Sequence, residues 1–281
     1  MAGSPPGSLY VVATPIGNLG DITYRAAAIL READFIAAED TRVTRKLLSH
    51  LSIKKPLVSY YRHNMLESGK NILERIVAGE NCALVSDAGT PAISDPGEEL
   101  IRMCAEAGIT TVAIPGPCAA IAALSVSGLP TGRFTFEGFL STAKKSRFER
   151  LDELKSEKRT MVFFEAPHKL LRTLKDMLAV FGDRRTAILR ELTKIHDETM
   201  RIRLSEAVAY FEATPPRGEF VLILEGVNHS ASPPPSLELA LAIADSYVAR
   251  DISASDAIKK ASAETGVPKN AVYEAYNSSH R

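Results

Sequence analysis

Carboxylates, arginines and imidazoles recur in this chain at the ends of short apolar runs. A strand end of that kind holds polar side chains on a rigid base and leaves them open to a ligand. Ile36-Ala37-Ala38 gives way to Glu39-Asp40-Thr41-Arg42. Val162-Phe163-Phe164 leads to Glu165-Ala166-Pro167-His168-Lys169, and Ile188-Leu189 leads to Arg190-Glu191-Leu192-Thr193-Lys194-Ile195-His196. A carboxylate or imidazole beside a cation is suited to general acid–base work. Taken singly, the same residues also serve as surface ion pairs and helix caps. A fourth run, Cys82 to Val85, stops at Ser86 and enters the turn-rich loop Asp87-Ala88-Gly89-Thr90-Pro91. The basic cluster Lys144, Lys145, Arg147 and Arg150, with Arg159 beyond, is the strongest local candidate for phosphate contacts. Such a run also reads as a solvated helix face.

These clusters need a scaffold, and the apolar pattern supplies one. Strands are predicted at 9–13, 34–38, 57–59, 82–85 and 110–114, with helices at 24–31, through 51, and at 65–78 between them. From Asp95 the pattern turns helical, with Asp95 as N-cap, Pro96 in the first turn and Gly108 as terminator. The β-α-β-α alternation is that of a doubly wound, mostly parallel sheet, whose ligands bind beyond the carboxyl ends of the strands. After Pro115-Gly116-Pro117, the small apolar run Cys118 to Ser127 predicts a tightly packed helix. A second α/β set follows, with strands at 134–139, 161–164, 186–190, 200–204 and 219–224 and some antiparallel pairing. The division expected is a disordered tail at 1–8, α/β domains at 9–116 and 117–227, a Pro-rich linker at 228–236 and a helical module at 237–281. Gly266-Val267-Pro268 between its last two helices suggests a helix-turn-helix-like unit.

Composition removes several classes of function. Over 281 residues, 45% are hydrophobic and 24% charged, which supports a substantial core and rules out wholesale disorder. Thirty-four basic residues balance 34 acidic ones, so a nucleic-acid partner needs a local basic patch. No apolar run reaches membrane-spanning length, and nothing resembles a signal peptide. Cys82, Cys104 and Cys118 sit in apolar or small-residue settings without metal spacing and read as buried thiols in a reducing, cytoplasmic setting. Gly17 and Gly20 alone do not make the G-x-G-x-x-G fingerprint, although Glu39 and Asp40 stand near the offset of a ribose-binding acid. A NAD-type oxidoreductase is a competing reading on that ground. Nothing specific supports metal or serine-nucleophile chemistry.

Read together and in order, seven stretches resemble one family. They are ATPIGNLGDIT (13–23), AEDTRVTRKLL (38–48), LVSDAGTPAISDPG (84–97), IPGPCAAIAALSVSGLP (114–130), FEGFL (136–140), FFEAPHKL (163–170) and RELTKIH (190–196). The chain resembles the small-subunit (16S) ribosomal RNA cytidine 2′-O-methyltransferases of the tetrapyrrole-methylase superfamily. That resemblance implies two α/β domains with S-adenosylmethionine in the cleft between them, and usually a homodimer. It places the cofactor against Pro15, Asp87, Ala88, Gly89, Ile93, Cys118, Ala119 and Phe164. Lys144, Lys145, Arg147 and Lys169 become the expected RNA contacts. Ser141 and Lys169 depart from the proline and arginine that the family usually has there.

Methylation of a ribose hydroxyl requires alignment of the oxygen and removal of its proton. Asp40 and Glu191 are the preferred bases, with Arg42, Arg190 and Lys194 placing phosphate or charge, and His168 and His196 as further candidates. The same motifs also fit a small-molecule methylase of this fold, and the basic cluster fits a non-catalytic RNA-binding assembly factor.

Overall fold

A computed structural model describes residues 5–227, 236–250 and 252–279, which form one unit through Val227 and a second unit beyond it. In the first unit, nine elements follow one another in β-α alternation: β1 (Leu9–Val12), α1 (Tyr24–Glu32), β2 (Phe35–Ala38), α2 (Thr41–His50), β3 (Leu57–Ser59), α3 (Met65–Val77), β4 (Cys82–Val85), α4 (Glu98–Glu106) and β5 (Thr111–Ile114). The strands lie in the order β3-β2-β4-β1-β5, and every pairing is parallel. Parallel strands covered on both faces read as continuous apolar runs, and β2 (FIAA) and β4 (CALV) are buried throughout. One face packs Leu30 of α1 and Leu47 and Leu48 of α2 against Ile36 and Val85. The other packs Ile72 and Ile76 of α3 and Leu100 of α4 against Phe35 and Leu84. The sheet is therefore doubly wound, as the alternation predicts.

The second sheet draws on α5 (Ala119–Val126), β6 (Phe134–Phe139), α6 (Lys144–Leu154), β7 (Thr160–Glu165), α7 (Pro167–Phe181), β8 (Arg185–Arg190), β9 (Glu198–Arg203), α8 (Leu204–Ala213) and β10 (Phe220–Leu224). Its order is β6-β7-β10-β8-β9, with β6 and β7 parallel and the other pairs antiparallel. Side chains alternate across it with the strand period of two. Phe220, Leu222 and Leu224 of β10 face α7 and α8, whereas Val221 and Ile223 face α5. The small residues Ala120 and Ala123 let α5 lie close on that face. The last strand to be made, β10, is inserted in the middle of the sheet.

Two expectations change. Of the tail expected at 1–8, residues 1–4 lie outside the described residues, and Gly7 and Ser8 are tied to the fold: the Gly7 N–H donates to the Ile76 carbonyl at 2.8 Å, and the Cys82 N–H donates to the Ser8 carbonyl at 2.9 Å. The helix expected from Asp95 starts at Glu98 with Gly97 before it. Gly97 has φ 148°, and a Cβ there would come within 3.0 Å of Ala92; the N-cap thus falls two residues later than expected, at Gly97 rather than Asp95. Gly108, with φ 68°, follows the helix as expected.

The second unit holds α9 (Leu237–Val248), α10 (Ala254–Thr265) and α11 (Lys269–Ser279). The predicted linker lies outside the described residues, except for Ser236. The Ser236 hydroxyl accepts from the Leu239 N–H and caps α9. Ser253 caps α10 in the same way, and Gly266 ends it in the left-handed conformation. Ala240, Ala244, Ile258, Ala261, Val272 and Tyr276 form the core of the unit. Among the described residues, no helix is long and apolar enough to cross a membrane.

Candidate functional site

Strand ends from both sheets surround a cavity of about 570 Å³, inside the range of roughly 300–1,000 Å³ usual for small-molecule sites. The first sheet contributes Ile16 after β1, Ala88 to Thr90 and Ile93 to Asp95 after β4, and Cys118 and Ala119 after β5. The second sheet contributes Phe139, Phe164 to His168, Leu189, Leu192 and Glu219 to Val221. Six of the eight expected cofactor residues line it: Ala88, Gly89, Ile93, Cys118, Ala119 and Phe164. Pro15 and Asp87 lie on the other side of their loops, in a second cavity. Cys118 is half-buried, unlike the fully enclosed Cys82 and Cys104. Burial pushes the Cys82 thiol up to about 12 and that of Cys104 to about 11, so both are inert packing groups.

The loop after β4 is fixed to three neighbouring strand ends. Thr14 and Gly89 exchange two backbone hydrogen bonds, at 2.8 and 3.0 Å. The Thr90 hydroxyl donates to the Pro117 carbonyl at 3.0 Å, and the Asp40 N–H donates to Asp87 Oδ1 at 2.9 Å. Ala92 (φ 66°) and Ser94 (φ 72°) sit in the left-handed region, which costs a non-glycine residue on the order of 1 kcal/mol or more each. Such strain persists only where the surroundings hold it, and here it lies on the cavity rim. Opposite, the Phe164 ring meets Phe136 and Phe139 edge-on at centroid distances of 5.1 and 5.6 Å. One wall of the cavity is thus small residues and exposed backbone; the other is aromatic.

The charged groups divide by environment. Asp40 caps α2 by accepting from the Arg42 N–H at 2.8 Å, and its Oδ2 also meets Arg42 Nη2 at 2.6 Å. These bonds hold its carboxyl down at about 2. Glu191 accepts from Lys194 Nζ at 2.9 Å and from the Glu219 N–H at 2.9 Å, and is lowered chiefly by Lys194. Burial alone would pull the Lys194 ammonium down, but its bonds to Glu191 and Glu219 outweigh it and leave it raised. Glu39 and Asp95 are raised by burial, with Asp87 adding repulsion to both. Arg190 is spent on the Arg217 carbonyl at 2.7 Å and on Glu198 at 3.4 Å.

Neither Asp40 nor Glu191 lines the large cavity, and the carboxyl and imidazole side chains that do are Asp95, Glu165, His168 and Glu219. Glu165 is buried and bonded to the Thr173 hydroxyl at 2.6 Å and the Ala166 N–H at 2.9 Å, so it organises the start of α7. His168 is exposed at that helix start. Sequence reasoning missed Asp95 as a lining residue because its Asp-Pro-Gly setting mimics a cap. It missed Glu219 and Phe220 because nothing local says that their strand enters between β7 and β8.

The Arg190–His196 loop reaches the first sheet. A Cβ on Gly17 (φ 147°) would lie 2.5 Å from Lys194 Cγ, and one on Gly218 (φ 88°) would lie 2.6 Å from the Glu191 side chain. Only glycine allows these approaches.

One expected RNA contact is overturned. The Arg147 side chain is 3% exposed, pairs with Asp176 at 2.7 Å and donates to the Ser141 and Thr142 carbonyls at 3.0 and 3.1 Å. Its stem faces inward on α6, and its charge is consumed inside the fold. Arg150 and Arg159 are likewise paired, with Glu137 and Glu157. Lys144 and Lys145 stay exposed, and Lys169 is half-exposed.

Residues 8–208 match the family model of tetrapyrrole (corrin/porphyrin) methylases. The chain is 47% identical over 274 residues to the ribosomal RNA small subunit methyltransferase I of Halalkalibacterium halodurans, covering 96% of this chain and 95% of that protein. It is 49% identical over 220 residues to the protein of the same name from Thermotoga maritima, covering 78% of this chain and 99% of that one. Among solved structures, a uroporphyrin-III C-methyltransferase from Thermus thermophilus complexed with S-adenosylhomocysteine superposes with a TM-score of 0.57 at 20% identity. That match covers 78% of this chain and 97% of that chain.

Proposed function

The chain belongs to the tetrapyrrole (corrin/porphyrin) methylase family, and we propose that it is an S-adenosylmethionine-dependent methyltransferase of small-subunit ribosomal RNA, acting on the 2′-hydroxyl of a cytidine. The observation that carries this reading is the 570 Å³ cavity, built at the strand ends where six resemblance-implied cofactor residues converge, in a chain so close to relatives of that name. The residues fit the group. The small residues Ala88, Gly89, Cys118 and Ala119 permit close approach, and Phe164 and Ile93 supply apolar faces. When bound, S-adenosylmethionine supplies a methyl group already activated by the sulfonium charge.

The protein itself must align the acceptor and take its proton. Asp40 is poorly suited to proton removal, because a carboxyl held at about 2 is a weak base at neutral pH. Glu191 is occupied by Lys194. We place the base at His168, an exposed imidazole on the cavity wall. Asp40 and Glu191 instead position their loops. Arg42, 82% exposed in its side chain, together with Lys144, Lys145 and Lys169, provides the phosphate contacts.

We read residues 9–116 and 117–227 as the two lobes of the site. We also propose a homodimer, supported by the apolar Ile121 and Val126 exposed on α5, and a cytoplasmic location, where small ribosomal subunits reside. Sedimentation at micromolar concentration tests the dimer. Labelled S-adenosylmethionine and unmodified small subunits test the reaction: label on a cytidine ribose is expected, and label on a base or none at all overturns it. His168→Gln should lower turnover at least about 100-fold at unchanged cofactor affinity.

A further inference from the structure

The loops after β1 and β4 form a thin two-stranded wall, joined by the Thr14–Gly89 bridge. Its residues divide between two sides. Ile16, Ala88 and Gly89 line the large cavity, while Pro15, Gly17, Ser86 and Asp87 line a second one of about 220 Å³. At roughly 30 Å³ per water molecule, that volume displaces about seven waters, the scale of one nucleobase. Its remaining walls are apolar or carry hydroxyls: Leu19, Val43, Thr44 and Leu47. Leu19 and Val43 are 45% and 38% exposed, so apolar surface is open to an occupant.

The polar and charged groups around this cavity favour one kind of occupant. Asp87 Oδ1 is used by the Asp40 N–H, but Oδ2 takes no hydrogen bond among the described residues. The outer face of α2 carries Arg42, Arg45 and Lys46, all exposed, and Lys46 lines the cavity. Arg45 and Lys46 take no ion pair among the described residues. A pocket of apolar walls, one open carboxylate oxygen and a cationic rim matches a base that donates a hydrogen bond and carries phosphates.

We propose that this second cavity receives the base of the target nucleotide, and that Asp87 Oδ2 selects cytosine by accepting a hydrogen bond from its exocyclic amine. The inference rests on the ribosomal RNA reading given above. Carboxylates accept from cytosine N4, whereas uracil presents a second acceptor there and is repelled. Extruding one nucleotide costs stacking energy, which binding of the base in the cavity and of phosphates at Arg45 and Lys46 offsets. The ribose must then reach past the Thr14–Gly89 wall, so that its hydroxyl meets the donor in the large cavity.

Asp87→Asn is a near-isosteric test. The amide oxygen keeps the bond to the Asp40 N–H, and the amide nitrogen turns an acceptor into a donor. Kinetics are measured on reconstituted small subunits carrying cytidine or uridine at the target position. The wild-type protein should favour cytidine about 5- to 150-fold in kcat/KM, the range that a base contact of about 1–3 kcal/mol converts to. Asp87→Asn should erase or reverse that preference. Its S-adenosylmethionine affinity, read by calorimetry, should stay within about twofold. Val43→Trp, which fills the cavity from the exposed side of α2, should abolish turnover on subunits at unchanged cofactor affinity.

An unchanged cytidine preference in Asp87→Asn, or undiminished turnover in Val43→Trp, overturns the proposal. A loss of cofactor affinity as the main effect of Asp87→Asn also overturns it and returns Asp87 to the cofactor site. If the wild-type protein labels no small subunit, the methyltransferase reading itself fails, an outcome separate from these.

Discussion

Replacing Arg147 with methionine separates an RNA contact from an internal strut. Methionine keeps most of the stem that packs in α6 and removes the guanidinium. The Asp176 carboxylate, 16% exposed, then loses its only ion-pair partner among the described residues, and the Ser141 and Thr142 carbonyls lose their donor. Removing one member of a buried pair costs about 3–5 kcal/mol. Water can reach Asp176 in part, and Ser141 and Thr142 are exposed, so the lower figure of about 3 kcal/mol applies. For a unit of this size, about 2–4 °C per kcal/mol gives a fall in Tm of about 6–12 °C.

The chain has no tryptophan, so urea and thermal unfolding are followed by far-UV circular dichroism, with the transition of the helical unit fitted separately. The double variant Arg147→Met/Asp176→Leu should recover most of the loss, because an apolar pair of similar volume tolerates the site. Lys145→Ala, at a side chain 88% exposed, should move stability by less than about 0.5 kcal/mol. An Arg147→Met protein with unchanged midpoint but weaker RNA binding and a shallower salt dependence would refute the structural assignment.

Phe164→Ala should weaken S-adenosylmethionine about tenfold by calorimetry, since it removes one aromatic face of the cavity and two edge contacts. Unchanged affinity would move the cofactor elsewhere. Acid stability should fall between pH 4.5 and about 2. Asp40 and Glu157 titrate at about 2 when folded and at 3.8 and 4.5 ordinarily, so the unfolded chain takes up protons first. Glu39 and Asp95, raised by burial, contribute with the opposite sign. Asp40→Asn keeps an N-cap and should flatten the acid limb of a midpoint-versus-pH series. Deleting residues 228–281 should leave cofactor affinity intact, because the first unit is compact by itself and the Thermotoga maritima relative is matched over 99% of its length by 220 residues. A truncated protein that no longer binds the cofactor would contradict this.

The elements and the first sheet were legible because their signals are local. FIAA and CALV are apolar over the length of a buried parallel strand, and Gly108 ends its helix by backbone preference alone. Six of the seven ordered motifs contribute residues to the lining of the large cavity. What each side chain does there depends on neighbours far away in the chain. Arg147 looked like its exposed neighbours Lys144 and Lys145 until Asp176, on another helix, claimed it. Asp40 and Glu191 read as bases in the sequence; in the fold each is paired with a cation, Arg42 and Lys194, and neither lines the large cavity. Asp87 and Ala88 are adjacent in sequence yet line different cavities, because the chain crosses from one side of the wall to the other between them where the Thr14–Gly89 bridge holds it. Glu219 reaches the site only because β10 pairs with both β7 and β8. Sequence determines what the chain can form locally and which loops carry chemistry; strand order and charge pairing, set by contacts distant along the chain, decide which groups meet a ligand.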